Sequence, residues 1–434
     1  MGLKYVLLKN TGDIIMNFFR PKIIDTLRDY SGKQLVSDIV AGVIVAIIAL
    51  PLSIALAIAS GVSPEKGLYT AIVAGFVIAL LGGSRVNISG PTAAFAAIVA
   101  GVVAKHGIDG LVLATVMAGL MLVIMGICHV GALIKYIPAP IVVGFTSGVA
   151  VTIVIGQIKD FLGLTFPEGT NAIESLEKLE AVAHSITTVN PVAVIVGIGA
   201  LAILIAWPFV SKKIPGSLVA VLVGMAVVSI AKLDVNTIGD LYQIERSLPS
   251  FSLPAFSVDK MVAVLPDAFT IAILAAIESL LSCVVSDSMI DDKHNSNTEL
   301  IAQGLGNIAS GLFGGIPATG AIARTAANVK NGGRSPIAGI THAVVLLLIL
   351  VLLMPYASFI PMPVIAAVLF MVSYNMCEWQ SFVFICKTAP WTDKIILVLT
   401  FVFTVVFDLV VAIAVGMVLH LLILLIKKLI KKRA

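Results

Sequence analysis

Apolar residues fall along this chain in long continuous blocks, separated by short polar or glycine-rich stretches. A helix needs roughly 20 apolar residues to cross a bilayer core. Blocks of that length lie near 39–60, 108–130, 191–210, 266–286, 335–354 and 408–427. Shorter or interrupted blocks lie at 68–83, 91–104, 138–157, 216–231, 298–313, 320–330, 359–376 and 392–407. The pattern predicts an all-α polytopic membrane protein of about fourteen transmembrane segments. The alternating ten-residue segments of a transmembrane barrel are absent.

Two connecting stretches stand out. Residues 158–190 contain E-S-L-E-K-L-E-A-V-A-H, an amphipathic helix with Leu176, Leu179 and Val182 on one face. It suits the membrane surface or a neighbouring helix. Residues 232–265 hold Asp234, Asp240, Glu245 and several prolines, and read as an ordered external loop. A division near residue 232 leaves about seven segments per half, and an odd number makes related halves run in opposite directions, the inverted repeat of many secondary transporters.

Composition agrees with this class. Hydrophobic residues make up 59% and charged residues 12%, and mean hydropathy is +1.09. A soluble domain carries roughly 25% charged residues, so this chain cannot cover a water-facing surface. Lys4, Lys9, Arg20, Lys22, Arg28 and Lys33 mark residues 1–37, and Lys427, Lys428, Lys431, Lys432 and Arg433 mark the end. Basic flanks favour the cytoplasmic side. Both termini are therefore expected to be cytoplasmic, in the inner (plasma) membrane, with residues 38–427 as the transporter domain and 428–434 as a basic tail. The net charge of +4 reports topology, with no nucleic-acid partner indicated. Cys128, Cys283, Cys377 and Cys386 are scattered without C-x-x-C spacing and read as small buried hydrophobes, so neither a disulfide framework nor a metal site is expected.

The halves match best at two broken segments. L-L-G-G-S-R-V-N-I-S-G-P-T-A-A-F (80–95) and L-F-G-G-I-P-A-T-G-A-I-A-R-T (312–325) each carry Gly-Gly, a short extended stretch and a weak helix start. Non-helical backbone at membrane depth is tolerated only when buried in protein or lining a wet cavity. Paired Gly/Pro-interrupted segments are the best sequence pointer to a transport site.

A helix that starts inside the membrane presents unpaired N–H groups and about half a positive charge. Small residues let an anion approach that backbone. The candidate donors are the amides of Thr92 and Ala93 on one side and of Ala321, Ile322 and Ala323 on the other, with the Thr92 hydroxyl in addition. Arg324, one turn into the second half-helix, either attracts the anion or pairs structurally with a carboxylate or carbonyl. Glu278 lies within A-F-T-I-A-I-L-A-A-I-E-S-L-L-S, and Ser282, one turn on at i+4, is expected to share its face as an ion-coupling residue. Burial disfavours the charged form of a carboxylate. Glu278 is thus a candidate proton carrier or small-cation ligand, or else a structural partner of Arg324. Asp287, Asp291, Asp292 and His294 resemble a metal cluster by type only and read as solvated loop charges. Asn87-Ile-Ser89 fits a glycosylation acceptor but falls in the broken membrane segment. No phosphate-binding loop, H-E-x-x-H or G-x-S-x-G sequence occurs, so ATP drive and membrane hydrolase chemistry are not expected.

The run A-G-V-I-V-A-I-I-A-L-P-L-S-I-A-L-A-I-A-S-G-V-S-P-E-K-G-L-Y-T (41–70) resembles the first-span signature of the SulP anion permeases. So do S-G-P-T-A-A-F (89–95), I-E-S-L-L-S-C-V-V-S-D (277–287) and I-P-A-T-G-A-I-A-R-T-A-A-N (316–328). The resemblance implies two inverted repeats of seven segments, a core domain (about 38–130 and 266–354) moving against a gate domain (about 131–231 and 355–427), and a homodimer. It implies half-helices at segments 3 and 10, each preceded by a short strand. Thr92, Gly320, Ala321 and Ile322 match the family's anion site, and Glu278 matches its ion-coupling carboxylate.

Family members usually carry a STAS domain after the last span; this sequence stops at Ala434, as a truncated chain or a short member would. A-L-P-L-S-I in the first span departs from the proline-glutamine of sulfate-type members. Aspartate with threonine one turn on marks sodium-dependent bicarbonate carriers, and Glu278 with Ser282 tilts instead toward proton coupling. The reading is a secondary active transporter, not an enzyme. It would carry bicarbonate, sulfate or a C4-dicarboxylate by proton symport, with no cofactor. The alternatives are a sodium-coupled bicarbonate symporter, a nucleobase permease of the same fold class and a non-transporting anion sensor.

Overall fold

Lipid offers no hydrogen-bond partners, so spanning backbone must satisfy itself as helix or closed barrel. The computed structural model describes residues 19–131, 138–167, 170, 172, 174–211, 214–243, 247–254, 257–406, 412, 415–419 and 422. The first half contains α1 (Gly32–Ala59), α2 (Pro64–Leu81), β1 (Ser89–Gly90), α3 (Ala96–Ile127), α4 (Ala139–Leu162), α5 (Ser175–His184), α6 (Pro191–Val210) and α7 (Gly216–Ala231). The second contains α8 (Val258–Ile290), α9 (Ser296–Leu312), β2 (Thr319–Gly320), α10 (Ile322–Lys330), α11 (Pro336–Leu353), α12 (Met362–Met376), α13 (Trp379–Thr388) and α14 (Trp391–Val406).

Among the described residues, eight helical stretches are long and apolar enough to span a membrane, with α12 and α13 counted as one. The kink in α3 at Gly107, where φ is 70°, divides one of these into two segments. The shorter α7, α9, α10 and α14 supply four more segments of the fourteen-segment pattern. The two halves are inverted repeats. Most of the predicted run 408–427 lies outside the described residues. Helix α8 starts eight residues before the predicted 266, because Pro266 sits within a continuing helix instead of beginning it.

Helix packing follows the inverted symmetry. In one group α1 packs on α11, as α3 packs on α8, and α2 packs on α9 at the centre. In the other, α4 packs on α12 and α14, and α6 on α12. Without a hydrophobic force between helices in lipid, small residues that permit close backbone approach hold such bundles together. Helices α3 and α9 meet at Gly119 and Gly304, where a Cβ on Gly304 would lie 2.5 Å from the Gly119 carbonyl oxygen. The amphipathic α5 forms as expected and contacts α4 and α14, but its buried residue is Ala181, while Leu176 and Leu179 are exposed. Its short side chain lets the helix lie close, which the leucines would prevent. Among the cysteines Cys283 is buried, whereas Cys128 at the end of α3 is exposed.

Helix direction alternates, so the α6–α7 junction and the end of α12 share a face with the start of α1, here the N-terminal face. The opposite face carries the α1–α2 turn, the α3 kink, α5, and the antiparallel bridge between Thr237 and Pro361.

Candidate anion-binding site

Both broken segments enter the bundle through glycines that neighbours crowd. A Cβ on Gly83 would lie 2.1 Å from the Asn295 carbonyl oxygen, and one on Gly315 2.4 Å from Ser310 Oγ. The segments then pair as two antiparallel strands, Ser89 opposite Gly320 and Gly90 opposite Thr319. This pairing gives the non-helical backbone partners at membrane depth. After the strands, Thr92 and Ala321 hold extended backbone and each precedes a helix start. A 3-10 turn over Ala93–Phe95 opens α3, and Ile322 opens α10.

The two helix starts meet a cavity of ≈ 580 Å³. Thr92 and Ala93 line it from one side and Gly320 to Arg324 from the other, with Glu278 of α8 between them. Its remaining wall is mostly apolar, including Leu52 and Leu56 of α1, Phe145 of α4 and Met371 of α12. Pro208, Gly216, Ser217 and Glu378 ring the mouth, which therefore lies on the N-terminal face. Oriented N–H groups and one cation can together bind an anion without a stripe of lysines.

Several predicted donors have other duties. The Ala321 N–H donates to the Ile88 carbonyl at 2.8 Å, and the Gly320 N–H donates to Ser279 Oγ at 3.0 Å. Ala321 is thus withdrawn from the predicted donor set, because the strand pair needs its amide. The first-turn amides of Ile322 and Ala323 have no acceptor within the helix, and both residues are exposed to the cavity. The Thr92 hydroxyl donates to Glu278 Oε2 at 2.9 Å.

Arg324 fills the structural role that its sequence position left open and keeps one guanidinium nitrogen unpartnered. It is 3% exposed, and Nη2 donates to the Pro91 carbonyl, so the second half-helix clamps the start of the first. Its Nη1 has no protein partner. Gly90 admits the guanidinium: a Cβ there would lie 2.6 Å from Nη1. Glu278 is hydrogen-bonded to Thr92, and no ion pair joins it to Arg324 among the described residues.

Ser282 does not face the cavity. Its hydroxyl donates to Asn87 Oδ1 at 2.8 Å and lies 3.2 Å from Thr325 Oγ1. One helical turn does not return to quite the same angle, and here the difference turns Ser282 toward the strand pair and away from Glu278's cavity. The loop acids form pairs: Asp287 lies 2.7 Å from His294 Nδ1, and Asp292 lies 3.1 Å from both Lys22 Nζ and Arg85 Nε.

The residues that sequence reasoning missed lie behind the strands. Glu299 is fully buried, and its carboxylate accepts from four donors: the Gly83 and Ser84 amides at 2.9 and 3.2 Å, Asn87 Nδ2 at 2.8 Å and Gln303 Nε2 at 3.0 Å. Asn307 pairs with Ala318 in both directions, and Asn328 donates to the Val86 carbonyl. A signal was present, since Glu299, Gln303, Asn307 and Ser310 recur at helical spacing along one face of α9. Asn87 of the glycosylation-like triplet belongs to this network and is 7% exposed.

Known proteins resemble this chain over most of its length. The family described as the sulfate permease family matches residues 35–400. The chain belongs to the sulfate permease family. A putative sulfate transporter, YvdB of Bacillus subtilis, is 43% identical over 86% of this chain and 70% of its own length. The bicarbonate transporter BicA of Synechocystis is 34% identical over 80% of this chain, which spans 62% of that relative. Among solved structures, the transmembrane domain of a cyanobacterial BicA superposes with a TM-score of 0.80 at 32% identity, over 88% of this chain and 98% of that one. Murine Solute Carrier 26 family member A9, described as an inward-facing anion transporter, has a TM-score of 0.85 at 18% identity, over 96% of this chain and 72% of that one. This last likeness concerns the fold alone. Members of the family are membrane transporters, and this chain is an anion transporter of that family and not an enzyme.

Proposed function

We propose that the chain is a secondary active transporter of a small anion, bicarbonate, sulfate or a C4-dicarboxylate, driven by proton symport across a bacterial plasma membrane. Two half-helix starts and Arg324 converge on one cavity beside Glu278, and this convergence carries the reading. The cavity lies between the two groups of packed helices, so movement of the core group against the gate group would transfer the site between faces. Its mouth on the N-terminal face corresponds to one end state of that movement. A homodimer with cytoplasmic termini would hold the gates still while the cores move.

The Thr92–Glu278 hydrogen bond supplies a coupling device. A hydroxyl has one proton to donate, and Thr92 spends it on Glu278. A protonated Glu278 can instead donate to Thr92, which frees the threonine proton for an anion. Proton and anion would then bind in support of each other.

Sodium-coupled bicarbonate transport is the second reading; the BicA relatives, named as bicarbonate transporters, favour its substrate. The orientation of Ser282 weighs against it, because that hydroxyl serves Asn87 and leaves fewer oxygens beside Glu278 for a cation. Uptake of radiolabelled bicarbonate, sulfate and succinate into liposomes, at two pH values with and without sodium, tests both. Accumulation driven by an inward proton gradient supports the first; strict dependence on sodium supports the second; no flux of any of the three defeats transport of these anions.

A further inference from the structure

A smaller cavity lies on the other side of the first half-helix. Ala93 faces the large cavity, while Ala94 lines this second one of ≈ 150 Å³. One wall is Lys105 of α3 and Asp267 of α8; the other is Thr152 and Gln157 of α4 and Lys178 of α5. It therefore sits at the seam between the two helix groups, toward the face opposite the mouth of the large cavity.

Its acids are engaged and its bases are spare. Asp267 Oδ2 lies 3.5 Å from His106 Nε2, and Glu174 caps the start of α5. Lys105 and Lys178, one from each wall, are in no ion pair among the described residues. Burial holds Lys178 below the usual lysine pKa, against the neighbouring charge of Glu177, so its ammonium gains from an added negative charge. Gln157 is 4% exposed and its Oε1 has no partner. The same side chain lines the cavity and carries an N–H₂ with two donors to offer an anion.

We propose that this seam holds a second small-anion site, of bicarbonate or sulfate size, between Lys105 of the core group and Lys178 of the gate group with Gln157 on the α4 wall. The anion's identity, and the site's part as the entrance from that face, rest on the transport reading above; the binding itself does not. An anion held there joins the two walls and lies next to Ala94, one residue from the large cavity. Separation of the walls on that face would pass it toward Thr92.

Two measurements test this. In liposomes sorted for orientation, Lys105→Gln and Lys178→Gln should each raise KM for sulfate or bicarbonate about three- to tenfold from the Lys178 face only. Maximum rates should stay within about twofold, the effect should shrink in concentrated isethionate, and Lys178→Arg should restore KM. Loss of maximum rate at unchanged KM, or an equal change from both faces, overturns the entrance. Binding is read separately with Thr152→Cys, in a background whose native cysteines are replaced, reacted with a negatively charged, impermeant thiol reagent. Sulfate or bicarbonate should slow that reaction about fivefold relative to isethionate at equal ionic strength, and Lys105→Gln should remove the protection. Equal rates in all salts overturn the site, whether or not the wild-type chain transports.

Discussion

Thr92 and Glu278, from opposite halves of the chain, are joined by a hydrogen bond of 2.9 Å at the edge of the large cavity. The threonine belongs to the start of the first half-helix and the glutamate to the middle of α8. Their link places a titratable group one bond from the backbone that would meet the anion.

Glu278→Gln is expected to abolish accumulation driven by an inward proton gradient while preserving anion exchange at equal pH. The glutamine N–H₂ donates permanently to Thr92 and so copies the protonated carboxyl. Counterflow and gradient-driven uptake measured on one preparation separate the two activities. Gradient-driven accumulation at the wild-type level would remove Glu278 from coupling.

Arg324→Ala is expected to weaken binding of a charged substrate by about tenfold or more, because hydrogen bonds to charged groups contribute about 1.5–3 kcal/mol. The same variant frees the Pro91 carbonyl, so some loss of stability is expected too. Arg324→Lys keeps the charge and loses the fork that reaches Pro91. Anion affinity should therefore recover in part with lysine while thermal stability does not. If both quantities fall together in both variants, the arginine is an anchor alone.

The membrane class, the broken segments and their correspondence between halves were legible because hydropathy and Gly/Pro interruptions are local signals. The fate of each N–H was not. Ala321 looked like an anion donor from its place at a helix start, and only the register of β1 against β2 commits its amide to Ile88. Ser282 was assigned by one-turn spacing to the face of Glu278, yet the partner that claims it, Asn87, is 195 residues away. Glu299 passed unnoticed because its acceptor capacity is filled by two backbone amides and two side-chain amides, none of them charged.

Asp292 ties the N-terminal segment to the end of α8. Burial acts to raise its carboxyl, but the Lys293 amide, the hydrogen bond from Lys22 and the charges of Lys22 and Arg85 outweigh it and hold the group below the ordinary aspartate value. A depressed carboxyl contributes stability above its unfolded pKa, about 4 for aspartate, and loses it as pH falls through the folded value. The contact should thus be intact at neutral pH and loosen below about pH 4. Asp292→Asn should reproduce the loosening at neutral pH, with trypsin cleavage after Lys22 or Arg28 about threefold faster, as a partly exposed pair of about 0.2–1 kcal/mol allows. Unchanged cleavage would mean that the backbone bond from Lys22 to Gly82 holds the segment alone.

Glu299 provides the most severe expected loss. Its removal leaves the Gly83 and Ser84 amides, Asn87 and Gln303 without their acceptor in a site that is fully buried. Each unsatisfied donor costs about 1–3 kcal/mol before relaxation, so Glu299→Ala should cost about 3 kcal/mol or more and lower the folded yield. Glu299→Gln keeps the shape but turns an N–H₂ toward two of the four donors in either orientation, and is expected to be nearly as damaging. Thermal unfolding in detergent measures both, with Glu378→Gln at the cavity mouth as a neutral comparison. A Glu299→Gln protein as stable as the wild type would mean that the strand pair stands without its carboxylate.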